Sequence, residues 1–471
     1  MKNITYDVRL YKTEVYKGQK HNSYTVRWKV GVKVWRESFR NKAQAETFRS
    51  EINTAAKKGE AFSTETGRPV SWGRNVDIPT WYEFSLDYMD SKWLTASPGH
   101  RRDIAEALTD ATEALLTTDK GAPSREDRRA ALRLWAYSDR LTKPKDDPPA
   151  NLVPALRWLK QNTVPMDEFQ PDGNGAATAR RVLDRYGRLQ NGKPAAASTV
   201  IRKRATLSNA LEYAIERKLI AANPLKHVRW TRPKTAQELD LRTVVNSDQA
   251  DRLLTAVGEQ GERGKRAVAF FALMYYAALR PEEAAALCKD NLLNLPDEGW
   301  GDMLLTTAQP RNGQRWTDTG KPRELRPLKH RADGATRPVP LHPDLVKILR
   351  YHLAQTGWTQ PGDTGRVFFG PRGGSMTDRA YLAIFKAARR SAFTAKEAAS
   401  PLARTPYDLR HAAVSTWLAA GVPAAQVALW AGHSVAVLLK VYAKAINGQE
   451  EEAKRRIMGA TRRKPKPKRK P

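Results

Sequence analysis

The sequence predicts a multidomain, mainly α-helical protein, and three observations support this fold class. The chain has 471 residues, more than a single hydrophobic core usually serves. Apolar residues recur at helical spacing through most of the chain after residue 80. Period-two alternation, which is typical of strands, occurs near the N-terminus and again within 324–341. We therefore expect a small β-β-α unit, an all-α domain, and a mainly α domain with a small antiparallel sheet.

Residues 1–62 are predicted to form the β-β-α unit. Its first strand has an apolar face made of Tyr24, Val26 and Trp28. Val30-Gly31 is the predicted turn into a second strand, which ends at Phe39. The helix that follows has one apolar side, made of Ala45, Phe48, Ile52 and Ala56. Basic residues alternate with the apolar ones, so the sheet is either an accessory DNA-binding surface or a minor domain with a solvated basic face.

Residues 80–226 are predicted to form an all-helical domain after a linker rich in Gly, Pro and Ser. One apolar stripe consists of Ile104, Ala107, Leu108, Ala111 and Leu115, and another of Val200, Leu207, Leu211 and Ala214. We expect both stripes to be core. A third domain is predicted over 244–458, with a central apolar helix at 266–279 and a hairpin over 324–341 that turns at Asp333-Gly334. The basic segment 459–471 is predicted to be a disordered tail.

The charge balance predicts a nucleic-acid partner. Lys and Arg number 81 against 50 Asp and Glu, giving a net charge of +31 and a pI near 10.2. Such an excess attracts polyanions, because each phosphate neutralised releases counterions. No apolar run is long enough to span a bilayer, no signal-peptide core follows the first residue, and Cys288 is the lone cysteine. We therefore expect a cytoplasmic protein with no membrane partner.

Four residues at wide spacing suit phosphodiester chemistry. They are Arg280 in Ala-Leu-Arg-Pro-Glu-Glu, Arg410 in Tyr-Asp-Leu-Arg-His, His433, and Tyr442 nine positions later. A tyrosine can store the energy of a broken phosphodiester as a phosphotyrosine. Arginine forks bind two phosphoryl oxygens and stay charged, and histidine exchanges protons near neutral pH. Each residue alone is more simply explained as a core, capping or helix-end residue; the set predicts DNA strand breakage.

Two stretches carry a resemblance to the tyrosine recombinase, or phage integrase, family. The first is 272–290, around Arg280-Pro-Glu-Glu283, and the second is 405–445, which contains Tyr407-Asp-Leu-Arg410-His411, Gly432-His433 and Tyr442. The resemblance implies that Arg280 and Arg410 clamp the phosphate, that Tyr442 is the nucleophile, and that His433 holds a non-bridging oxygen or assists proton transfer. It also implies an arm-type DNA-binding domain at 1–62, a core-binding domain at 80–226 and a catalytic domain at 244–458.

The resemblance extends to further site residues. Glu283 matches an acidic residue that helps to order the site. Lys329 matches the place of the catalytic lysine that protonates the leaving 5′-oxygen, with Lys321 as the competitor. His411 projects about 100° from Arg410 on a helix, so we interpret it as structural. Tyr407 departs from the pattern, because the family usually has histidine there; a phenol donates a hydrogen bond but is a poor proton acceptor near neutral pH.

The implied activity is site-specific recombination that integrates or excises a mobile element such as a phage. One nucleophile per protomer and four strand cuts in two duplexes imply a homotetramer, with possible accessory DNA-bending or directionality factors. No Walker loop, Gly-x-Gly-x-x-Gly or His-x-x-x-His pattern occurs, and neither a cofactor nor a metal is expected. A type IB-like topoisomerase and a DNA-binding protein with a decayed site stay as alternatives. The target DNA sequence is not predicted.

Overall fold

The computed structural model describes residues 4–17, 22–70, 72, 78–140, 147–235, 238–329, 332, 334–359, 365–370, 373–374, 376–446, 454–455 and 457–458. The predicted tail at 459–471 and Asp333 of the predicted turn lie outside these residues. The chain divides into two compact units, one built mostly from residues before 233 and the other mostly from residues after it. The described chain is mainly helical and carries small antiparallel sheets.

A four-stranded antiparallel sheet opens the first unit. Its strands are β2 (Val8–Leu10), β3 (Glu14–Lys17), β4 (Asn22–Val30) and β5 (Lys33–Phe39), and β4 pairs with the other three. The β4–β5 turn contains Gly31, whose positive φ of 55° suits glycine. Helix α1 (Lys42–Lys57) packs on the sheet, with Phe48 at 5.5 Å from Trp28, ring centre to ring centre. A further pair, β1 (Ile4–Thr5) with β6 (Phe62–Ser63), is also antiparallel.

The short strands β1, β2, β3 and β6 were not expected from the sequence. Each spans two to four residues, which is too short for an alternating pattern to emerge. The longer strand β4 does alternate, and its inward residues Val26, Trp28 and Val30 are buried. The predicted alternation of this strand is therefore confirmed.

Helices make up the rest of the first unit. They are α2 (Trp81–Trp93), α3 (Pro98–Ala114), α4 (Arg125–Ala130), which continues as a π-helical turn over Ala131–Ala136, α5 (Val153–Gln161), α6 (Gly175–Tyr186) and α7 (Ala197–Glu216). Every member of the two predicted apolar stripes is buried, so the prediction that they are core is confirmed. Asp110 on α3 binds Arg129, Arg185 and Lys203 at 2.6–3.0 Å, which ties α4, α6 and α7 to α3.

The second unit is a helical bundle around α9. Its helices are α8 (Ser247–Gly258), α9 (Gly261–Ala277), α10 (Pro281–Ala284), α11 (Pro343–Ala354), α12 (Asp378–Ala392), α13 (Ala395–Ala399), α14 (Tyr407–Ala419), α15 (Ala424–Ala431) and α16 (Val435–Ile446). The run from Ala269 to Met274 in α9 is fully buried and contacts α8, α11 and α14. The apolar helix predicted at 266–279 is therefore central.

The strands of the second unit correct the predicted hairpin. They are β7 (Leu292–Asn294), β8 (Gly301–Leu305), β9 (Thr307–Ala308), β10 (Arg326–Pro327) and β11 (Arg337–Leu341). β11 pairs with β8 and β10 pairs with β9, so these two strands do not pair with each other. The predicted pairing of the two arms of a hairpin over 324–341 is wrong, because the described strands β10 and β11 each pair with the preceding segment 301–308.

In the part of the chain that is described, no single helix is both long and apolar enough to cross a membrane. Two shorter helices, Ala424–Ala431 and Val435–Tyr442, are together long and apolar enough, but they meet at a bend of 103°.

Candidate active site

Arg280 is positioned by the end of α9. Ala278 ends the helix in the left-handed conformation, with φ at 51°. Arg280 itself is extended because it precedes Pro281, which disfavours a helical conformation one residue earlier and begins α10. The Glu283 carboxylate accepts a hydrogen bond from the Arg280 backbone N–H at 2.8 Å. The local sequence Arg-Pro-Glu-Glu thus forms a capped turn that fixes the Arg280 backbone.

Glu283 is the buried counterion of an arginine cluster. Its carboxylate accepts hydrogen bonds from Arg280 Nη1 at 2.7 Å and from both Nη atoms of Arg337 at 2.9 and 2.7 Å. Arg410 Nη1 lies 3.9 Å from the same carboxylate. Burial by itself would raise the pKa of Glu283, but Arg337, Arg280 and Arg410 lower it to about 2. Glu283 is therefore ionised and orients the guanidinium groups of Arg280 and Arg337, with Arg410 close by.

Arg337, the first residue of β11, is a neighbour of the site that the sequence motifs do not predict. It is 1% exposed and forms a two-pronged ion pair with Glu283. The burial of Arg337 can be read from the sequence, because Arg337, Val339 and Leu341 are two residues apart and therefore lie on one face of a strand. An arginine in phase with two apolar residues indicates a buried, paired charge.

Arg410 lies on α14 and is fully buried. Its Nη1 donates to the carbonyl of Ala278, and its Nη2 donates to the carbonyl of Ala431 and to His433 Nε2 at 2.8 Å. Arg410 Nε is buried without a hydrogen-bond partner in the described part of the chain. The guanidinium is thus held by two backbone oxygens and His433, which use three of its five N–H donors.

The turn between α15 and α16 places His433. Gly432 adopts the left-handed conformation, with φ at 66°, and a Cβ there would lie 2.4 Å from Arg337 Nη1. Its carbonyl accepts a hydrogen bond from Arg280 Nη2 at 3.0 Å. Only glycine meets both the conformational and the steric requirement at this close approach.

His433 is a neutral imidazole. Burial, together with Arg410 and Arg280, lowers its pKa to about 3. Because Arg410 Nη2 is a donor, His433 Nε2 must accept, and the ring proton resides on Nδ1. His433 Nδ1 is buried without a partner among the residues described. The ring therefore offers one N–H donor to a ligand.

Tyr442 lies on α16 and is 1% exposed. Its φ of −110° and ψ of 15° interrupt the helix at this residue. The Tyr442 hydroxyl lies 2.8 Å from His411 Nδ1, and burial raises its pKa while Arg410 opposes the rise. His411, interpreted from the sequence as structural, thus contacts the candidate nucleophile directly.

Tyr407 begins α14 and is half-buried. Its ring meets the His411 ring edge-on at 5.0 Å between centres, and the Arg410 guanidinium lies 5.9 Å from the Tyr407 ring centre. The residue that departs from the family pattern therefore packs against both His411 and Arg410.

Neither of the two lysine candidates contacts the arginine cluster in the described part of the chain. Lys329 is exposed and directly follows Leu328, beyond the end of β10. Lys321 is also exposed, and its backbone carbonyl accepts a hydrogen bond from Thr317 Oγ1 at 2.7 Å. Among the described hydrogen bonds and ion pairs, neither lysine side chain contacts Arg280, Arg410 or Tyr442.

A comparison with protein families identifies the domain that contains the candidate site. The family model described as the phage integrase family matches residues 243–447, which include every residue of the candidate site. No curated protein sequence matches the chain.

Solved structures match the chain at low sequence identity and with TM-scores below 0.5. The Tn1549 transposon integrase in complex with a circular intermediate DNA is 15% identical, with a TM-score of 0.47, over 67% of this chain and 95% of that one. XerH recombinase bound to a palindromic difH substrate is 12% identical, with a TM-score of 0.41, over 76% and 96%. A lambda integrase dimer bound to a core site is 14% identical, with a TM-score of 0.38, over 58% and 81%. Residues 243–447 therefore form a domain of the phage integrase family, the tyrosine recombinases of site-specific DNA recombination.

Proposed function

We propose that Tyr442 is the nucleophile with which this recombinase cuts DNA. Its Oη attacks a backbone phosphorus, the bond from phosphorus to the 5′-oxygen breaks, and a 3′-phosphotyrosine and a free 5′-hydroxyl result. Attack of a 5′-hydroxyl from a partner strand reverses the chemistry and exchanges the strands. The observation that carries this proposal is the convergence of Arg280, Arg410, His433 and Tyr442 in one buried cluster.

The cluster suits a phosphoryl transition state. Arg280 and Arg410 bring two positive charges, and Arg410 Nε is a donor without a hydrogen-bond partner among the described residues. His433 Nδ1–H is a further donor in the same surroundings. These groups would hold the non-bridging oxygens, while Glu283 keeps the guanidinium groups fixed before DNA arrives.

The leaving 5′-oxygen requires a proton. Lys329 is the proposed donor, because it lies in the segment before β11 in which the resemblance places a catalytic lysine. Its exposed position fits a residue that would reach the site on DNA binding. Lys321 is the alternative, and Lys329→Ala set against Lys321→Ala separates the two. The true donor is the one whose loss slows cleavage of an ordinary duplex but not of a duplex with sulfur at the bridging 5′ position, since a thiolate leaves unprotonated.

The proposed substrate is a pair of double-stranded attachment sites. Residues 1–62 would bind arm-type DNA, residues 80–226 would bind the core site, and residues 244–458 would perform the chemistry. Each protomer supplies one tyrosine, so four strand cuts call for a homotetramer. Accessory DNA-bending or directionality factors would then bias integration or excision of the mobile element, within the cytoplasm and its nucleoid.

A nicked suicide duplex bearing the attachment site tests the nucleophile. We expect the wild type to form a covalent protein–DNA adduct and Tyr442→Phe to form none. Tyr351→Phe is the matched control, because Tyr351 is 59% exposed in the same unit and the same hydroxyl is removed. A wild-type protein that binds this duplex tightly without forming an adduct would refute the catalytic proposal.

A further inference from the structure

His411 is the side chain that meets the nucleophile. It follows Arg410 on α14, and its Nδ1 lies 2.8 Å from the Tyr442 hydroxyl on α16. The two ring centres are 5.6 Å apart. This contact links residues 31 positions apart, so the packing of α16 on α14 creates it.

The direction of this hydrogen bond follows from the state of the ring. Burial and the neighbouring Arg410 lower the pKa of His411 to about 4, so the imidazole is neutral near pH 7. Tyr442 is protonated there as well, because burial raises its pKa. The Tyr442 hydroxyl therefore donates, His411 Nδ1 accepts, and the ring proton of His411 is on Nε2.

Other groups near Tyr442 are poorly suited to take its proton. His433 Nε2 already accepts a hydrogen bond from Arg410, and its Nδ1 carries the ring proton. Tyr407 is a phenol, which does not accept a proton near neutral pH. Arg280 and Arg410 are permanent cations. Within the described surroundings of Tyr442, His411 Nδ1 is the basic atom that contacts the hydroxyl.

We propose that His411 is the general base of strand cleavage in this recombinase. As Tyr442 Oη bonds to phosphorus, its proton passes to His411 Nδ1, and the electron pair of the breaking bond leaves on the 5′-oxygen, which takes a proton from the acid. On rejoining, the His411 imidazolium returns its proton to the departing Tyr442 phenolate. The inference rests on the proposed role of Tyr442 and assigns to His411 a task for which Tyr407 is unsuited.

Single-turnover cleavage of the nicked suicide duplex tests this proposal. We expect His411→Ala and His411→Asn both to slow adduct formation by about 100- to 10,000-fold, the usual contribution of a general base. Asparagine is the discriminating variant, because its amide oxygen accepts the Tyr442 hydrogen bond but cannot take the proton. His342→Asn is the matched control: His342 caps α11 in the same unit, and asparagine preserves that cap.

A duplex with sulfur at the bridging 5′ position separates the two proton transfers. The sulfur leaves as a thiolate without protonation. Cleavage of this substrate therefore does not need the acid that protonates the leaving group, but it still needs the base that takes the Tyr442 proton. We expect this substrate to leave the defect of both His411 variants unchanged. Near-wild-type cleavage by His411→Asn, or rescue of either variant by sulfur, would overturn the assignment.

These experiments distinguish a failure of the proposed role of His411 from a failure of the proposed role of Tyr442. If wild type forms no adduct and Tyr442→Phe behaves identically, the role of Tyr442 fails. If wild type forms the adduct and His411→Asn forms it equally fast, only the role of His411 fails. Unchanged DNA binding and thermal unfolding of His411→Asn would show that its defect is chemical.

Discussion

Replacing Glu283 by glutamine should destabilise the catalytic unit severely. The Glu283 side chain is 1% exposed and is bonded to Arg280 and Arg337, with Arg410 nearby. Glutamine has nearly the same shape, so packing changes little. Its neutral amide, however, leaves three guanidinium groups clustered without a counterion, and its NH₂ faces N–H donors.

The size of the effect follows from two independent arguments. Removing one partner of a buried ion pair typically costs about 3–5 kcal/mol. The pKa of Glu283 falls from its ordinary value of 4.5 to about 2, and that difference corresponds to about 3 kcal/mol of stability at neutral pH. A depressed carboxyl pKa stabilises the fold above the unfolded pKa. This contribution is therefore complete above about pH 4.5 and is lost as the pH falls towards 2.

Denaturant-dependent hydrogen exchange of peptides from α9 and α14 measures the effect in the full chain, because it reports the second unit by itself. We expect Glu283→Gln to lower the unfolding free energy by about 3–5 kcal/mol at pH 7, and the gap to the wild type to narrow below about pH 4.5. Glu282→Gln is the control, with an expected change within about 0.5 kcal/mol. A loss below about 1 kcal/mol for Glu283→Gln, or a gap independent of pH, would refute the counterion role.

Three further predictions concern the turn, the unusual tyrosine and the basic tail. Gly432→Ala should lower the free energy of unfolding, measured by thermal unfolding, by at least about 2 kcal/mol. Gly357→Ala is the control: it has a positive φ but open space around it, so it should lose only about 1 kcal/mol through backbone strain. Equal losses for the two variants would contradict the clash with Arg337. Tyr407→Phe should slow cleavage by no more than about tenfold, because the ring stays and the variant loses only the hydrogen bond expected from the phenol to a phosphoryl oxygen; a loss of a hundredfold would place its hydroxyl in proton transfer. Removing residues 462–471 should flatten the salt dependence of DNA binding in a titration series without abolishing cleavage, and an unchanged slope would contradict phosphate contact by the tail.

The main features of the site and core are readable in the sequence because they are local. Helical stripes such as Ile104 to Leu115 specify which face is buried wherever the helix packs. The spacing of Arg280, Arg410, His433 and Tyr442 identifies the family because each lies within a short motif, and the structure brings these residues together. Their catalytic roles stay predictions.

The missed features depend on pairing between distant segments. The angle of His411 from Arg410 on one helix is a local property, but what His411 meets is set by α16, which packs on α14. Closeness in sequence favours a hairpin between strands β10 and β11, whereas each of them pairs with the segment 301–308. Arg337 was overlooked because an arginine is usually exposed, and only its partner Glu283 explains its burial.

The long sequence separations inside the site have a consequence for protein synthesis. Arg280 binds the carbonyl of Gly432, 152 positions away, and Arg410 binds the carbonyl of Ala278, 132 positions away. A ribosome that has translated the β-strands and α12 has produced Arg280 and Glu283 but neither Arg410 nor Tyr442. On the proposed mechanism, a nascent chain therefore holds no partial nuclease, and DNA is cut only by polypeptides whose translation has passed residue 442.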